Sequence, residues 1–88
     1  MNTDHLAEYV LVVRKGSLTE AARQLHVTQS ALSKHMAALE KEYQAELLLR
    51  DKHGVHPTKA GQLLFDQANI MLSFMELTKQ RIHSILEK

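Results

Sequence analysis

Six histidines, an adjacent Ser33-Lys34 pair and a run of short polar side chains from Thr28 to Ser33 are the residues of this 88-residue chain that invite chemistry. A metal site needs three or four ligands at close quarters. The close histidine pair is His53-x-x-His56, with Asp51 the one nearby carboxylate and no cysteine anywhere. No metal and no cofactor are therefore expected. Nucleophilic catalysis needs a nucleophile, an oriented base and a pocket. Ser33 beside Lys34 on a helix has no third partner and no cavity, so an enzyme is not expected. The three glycines are scattered, which leaves no phosphate-cradling loop. What remains is the chemistry of recognition. Gln29, Ser30, Ser33 and Lys34 offer hydrogen-bonding groups and one cation, and no acid interrupts 28–39.

Those residues sit on a helix that others must hold in place. Leu6, Tyr9, Val10 and Val13 recur at helical spacing, so a first helix runs to about Arg14, capped by Asp4 and stopped by Gly16. Ser17-Leu18-Thr19-Glu20 reads as a capping box that opens a short second helix to about Leu25. After the turn His26-Val27-Thr28, Thr28 caps a third helix to about Tyr43, with Leu32, Met36, Leu39 and Tyr43 as its buried stripe. Two short extended segments around Lys52-His53-Gly54 follow and end at Pro57. Thr58 then caps a long last helix.

Two helices joined by a three-residue turn make a helix-turn-helix. Their close crossing needs small contact residues, which Ala21 and Ala22 supply, while Leu25, Val27 and Leu32 fill the angle. The acid-free start of the third helix suits a DNA major groove, and its positive dipole end attracts phosphate. The alternative is a helical dimerisation or protein-interaction module without DNA binding, which the net charge of only +1 favours.

Along the last helix a polar stripe runs through Gln62, Asp66, Asn69, Ser73, Glu76, Gln80, His83 and Glu87. Opposite it Leu64, Ala68, Met71, Met75, Thr78, Ile82 and Ile85 alternate in steps of four and three, as in a coiled-coil seam, and predict a homodimer. Leu63, Ile70, Phe74 and Leu77 add a second apolar row. The apolar stretches are broken by Glu8, Asp66 and Glu76, so no membrane span is expected. With no export signal and no cysteine, the expected location is the cytoplasm.

The string "GSLTEAARQLHVTQSALSKHMAALEKEY", followed by "LLLR", "HGV" and "PTKAG", resembles the N-terminal DNA-binding domain of LysR-type transcriptional regulators. The resemblance covers almost the whole chain. It implies a mainly α fold: a winged helix-turn-helix over 1–57, of three helices and a small β-hairpin wing, then a long linker and dimerisation helix over 58–88. It implies sequence-specific binding to double-stranded DNA as a dimer, with the recognition helix (about 28–43) in the major groove and the wing (about 47–57) on backbone or minor groove. The DNA-facing positions it implies are Thr28, Gln29, Ser30, Ser33 and Lys34 on the recognition helix, Ser17 and Thr19 on the second helix, and Arg50, Lys52 and His53 on the wing. Members of that family continue into a domain that binds a small-molecule inducer, which would lie outside this chain. Four positions depart from the pattern. Ser30 stands where proline is common, Lys34 where arginine is usual, and His53 where a wing arginine is common. Gln44 replaces the glycine that usually ends helix three, which lets that helix run on.

Overall fold

The computed structural model describes residues 2–87, and its elements follow the order read from the sequence. They are α1 (Thr3–Lys15), α2 (Leu18–Leu25), α3 (Gln29–Tyr43), an antiparallel hairpin of β1 (Leu48–Asp51) and β2 (Gly54–Pro57), and α4 (Lys59–Leu86). The hairpin register pairs Leu48 with Pro57 and Asp51 with Gly54, leaving Lys52 and His53 as the two-residue turn.

Side-chain oxygens start every helix. Ser17, Thr28 and Thr58 accept from Glu20 N, Ala31 N and Gly61 N, which satisfies a backbone donor the helix itself cannot. Two expectations about helix starts need correction. Asn2, not Asp4, caps α1, because its Oδ1 reaches both Asp4 N at 2.9 Å and His5 N at 3.1 Å. The capping box of α2 is half made: Ser17 accepts as expected, but the Glu20 carboxylate accepts from Arg23 at 2.8 Å.

Helix α3 does not run past Tyr43. Gln44 takes the left-handed conformation with φ of 53°, and Ala45 N donates to Glu40 O at 3.1 Å. The Glu40 carboxylate also accepts from Leu47 N at 2.7 Å. These bonds turn the chain without glycine. Tyr43 lies beyond the buried stripe and is 39% exposed.

The core is built from Leu6, Tyr9, Val10 and Val12 of α1, Leu18, Ala21 and Ala22 of α2, and Leu32, Met36 and Leu39 of α3. Leu47, Val55 and Ala68 close it. Tyr9 is fully buried and donates to the Leu47 carbonyl at 2.8 Å. Gly61 packs so closely here that a Cβ would overlap both the Leu47 carbonyl and the Tyr9 hydroxyl. The wing is tied down by Val55 N, which donates to Gly16 O at 3.0 Å. Gly54 has φ of 122°, and any Cβ there would strike the Gly16 carbonyl.

Helix α4 has two parts. Up to Leu72 it lies against α1, where Arg14 donates to Asn69 Oδ1 at 2.7 Å. From Ser73 to Glu87 every residue is exposed. Ala68 is 0% exposed and belongs to the chain's own core, so it is not free to meet a second copy. Asn69, a member of the polar stripe, faces α1. Among the described residues no helix is long and apolar enough to cross a membrane.

Candidate nucleic-acid interface

The exposed side of α3 lies opposite Leu32, Met36 and Leu39, whose burial fixes the rotation of the helix. Gln29, Ser30 and Lys34 are exposed and Ser33 is half-buried. With i,i+4 neighbours sharing a face, Gln29 and Ser33 form one row and Ser30 and Lys34 the next. Among the described residues Lys34 makes no ion pair. The nearest acid along α3, Glu40, is half-buried and bonded to the backbone of the following loop, so its charge is directed inward. The first turns of α3 therefore present one cation and several neutral hydrogen-bonding groups.

Helix α2 supports this row directly. Thr19 Oγ1 donates to Gln29 Oε1 at 3.0 Å, a contact across the turn that the sequence pattern did not reveal. It leaves the Gln29 amide NH2 and the second lone pair of Oε1 for a ligand. Ser17 and Thr28 use their oxygens as helix caps and keep their hydroxyl hydrogens. Arg50, Lys52 and His53 are all exposed on the wing. Asp51 Oδ1 accepts from His53 N at 2.7 Å, which fixes the turn, and lies 3.5 Å from His56 Nε2. The structure thus brings Thr19 and Gln29 together and leaves Arg50 and Lys52 without ion pairs among the described residues.

A second feature is the apolar surface of α4. Leu63, Ile70 and Phe74 are exposed, Phe74 at 65%, and Leu77, Met75, Ile82 and Ile85 continue the surface. Of the expected seam, Leu64 and Met71 are half-covered by the chain's own core, while Met75, Thr78, Ile82 and Ile85 are exposed. The row read as secondary is therefore the more exposed one along the first half of the helix.

The family model for bacterial regulatory helix-turn-helix proteins, lysR family, matches residues 3–62. The chain is 42% identical over 85 residues to the nitrogen assimilation regulatory protein nac of Escherichia coli (strain K12), covering 97% of this chain and 28% of that protein. It is 33% identical over 84 residues to the HTH-type transcriptional regulator CysL of Bacillus subtilis (strain 168), covering 96% and 28%. The chain thus spans little more than a quarter of the length of these curated relatives. Among solved structures it resembles the BenM_DBD/catB site 1 DNA complex with a TM-score of 0.95 and 31% identity, over 100% of this chain and 99% of that one. It resembles the CbnR_DBD-DNA complex with a TM-score of 0.89 and 28% identity, over 97% and 98%.

Proposed function

The chain belongs to the lysR family of bacterial regulatory helix-turn-helix proteins, and from that premise we propose that it binds double-stranded DNA sequence-specifically as the DNA-binding domain of a transcriptional regulator. The observation that carries this reading is the acid-free, outward face of α3 with Gln29 held by Thr19 at its N-terminus. Relatives of the same fold crystallised with DNA support it.

In this reading α3 enters the major groove. The Gln29 amide pairs with the edge of an adenine, donating to N7 and accepting from N6. Lys34 reaches a guanine edge or a phosphate as a point charge, without the bidentate fork of arginine. Ser30 and Ser33 add hydrogen bonds, Ser17 and Thr28 approach the backbone, and Thr19, whose hydroxyl hydrogen goes to Gln29, acts by positioning that side chain. Arg50, Lys52 and His53 contact backbone or minor groove, where negative potential is strong. Residues 1–57 act as the DNA-binding unit. Residues 58–88 act as linker and dimerisation helix, and two copies joined there hold two half-sites at a fixed spacing. A regulator of this kind works in the cytoplasm and is not an enzyme.

Fluorescence anisotropy with the DNA upstream of the gene tests this reading against an excess of unrelated duplex. The expected result is specific binding whose affinity falls steeply with salt, since each neutralised phosphate releases counterions. Equal affinity for both duplexes, or none, would favour the protein-interaction module that the near-neutral charge suggested.

A further inference from the structure

His5 and Glu8 lie one turn apart on α1, and His35 meets them from α3. His35 Nδ1 stands 2.8 Å from Glu8 Oε1. The His5 and His35 rings stack with centroids 4.3 Å apart and planes 22° from parallel. One ligand atom from each residue lies within 4.8 Å of the other two, and all three residues are half-buried. We propose that these three side chains form a binding site for a divalent transition-metal ion of the zinc class, which joins α1 to α3.

Two imidazole nitrogens and one carboxylate oxygen form a donor set suited to Zn²⁺, Ni²⁺ or Cu²⁺. Ca²⁺ and Mg²⁺ prefer more oxygen ligands than this site supplies. Donors bound to one zinc at about 2.0–2.2 Å stand roughly 3–3.5 Å apart, so the His35–Glu8 pair at 2.8 Å must open slightly while His5 draws in by at most about 1.5 Å. Rotation of the two imidazole side chains supplies that movement. The backbone already serves the site, because His5 and Glu8 share a helix face and His35 already approaches the Glu8 carboxylate. The ion takes the place of the hydrogen between Glu8 and His35. Water completes the coordination, as at other sites with three protein ligands.

The Glu8 side chain is only 13% exposed, so a cation beside it is poorly screened by solvent and held more strongly than at the surface. The pair His53 and His56 differs. It has one nearby acid, Asp51, and all three side chains are exposed. His35 directly follows Lys34, so an ion bound here would clamp the recognition helix to α1. The inference stands independently of DNA binding.

Thermal melting and titration calorimetry of the whole chain with zinc chloride alone provide the test. One zinc per chain is expected. At free zinc about ten times Kd the melting temperature rises by roughly 5–10 °C. His5→Gln and His35→Gln abolish the rise, whereas His53→Gln/His56→Gln keeps it. Imidazole NMR of the parent chain covers the case in which a variant fails to fold: zinc should shift the His5 and His35 rings together, before His53, His56 and His83. The inference is overturned by no heat and no rise at millimolar zinc, by a rise that survives both His5→Gln and His35→Gln, or by shifts confined to the other histidines.

Discussion

Thr19 Oγ1 donates to Gln29 Oε1 across the α2–α3 turn at 3.0 Å, so the first side chain of α3 is held by its neighbouring helix. Gln29→Ala should weaken operator binding by about 1–3 kcal/mol and relax preference at one base pair. Thr19→Val should cost less, because the amide remains and only its positioning is lost. In a double-mutant cycle by anisotropy, Thr19→Val should add nothing once Gln29 is alanine. Fully additive losses would show that the two residues act separately.

Lys34 is exposed and unpaired among the described residues. Lys34→Ala should cost about 1–3 kcal/mol of specific binding while changing folding stability by no more than about 0.5 kcal/mol. A phosphate contact predicts that the slope of log affinity against log salt falls by about 1, and a base contact predicts relaxed specificity instead. Parent-like binding in both respects would remove Lys34 from the interface.

Ala68 and Phe74 lie six residues apart on α4 with opposite surroundings, 0% and 65% exposed. Phe74→Glu should leave the fold intact and turn dimers into monomers in sedimentation equilibrium, with weaker operator binding as the consequence. Ala68→Glu should instead unfold the domain, since it buries an unpaired charge. A parent chain that stays monomeric at high concentration would refute the dimer.

Gly61 has no room for a methyl group against the Leu47 carbonyl and the Tyr9 hydroxyl. Gly61→Ala should destabilise the fold by about 1–3 kcal/mol through overpacking, read as a lower denaturation midpoint. A stabilised variant, as expected for alanine at an uncrowded helix position, would show that the packing gives way.

The Tyr9 hydroxyl is pushed from 10.0 up to about 12, chiefly by burial and secondly by the Glu40 charge. The folded state therefore holds its proton longer than the unfolded state. Stability from this group is intact below pH 10 and drains away between 10 and 12, by about 1–3 kcal/mol in all. Tyr9→Phe should remove that part of the alkaline loss. Near neutrality it should cost only about 0.5–1.5 kcal/mol, because Leu47 O still accepts from Thr58 N at 3.2 Å. Identical alkaline profiles for the two proteins would refute the assignment.

The helix-turn-helix was legible because its determinants are local. Hydroxyls at Ser17, Thr28 and Thr58 announce helix starts, Gly16 a stop, and Leu32, Met36 and Leu39 a buried face. Gln44 was misread because a left-handed cap of a non-glycine residue depends on bonds to Glu40 that no propensity encodes. The faces of α4 were only partly legible. With apolar residues on more than one side, periodicity offers several equivalent seams, and it is packing against α1 that assigns Ala68 inward and Phe74 outward. The same crossing of distant segments brings Thr19 to Gln29 and His35 to Glu8. Spacing along one helix fixes which residues share its face, but only the angle and separation at which two helices pack decide which side chains meet.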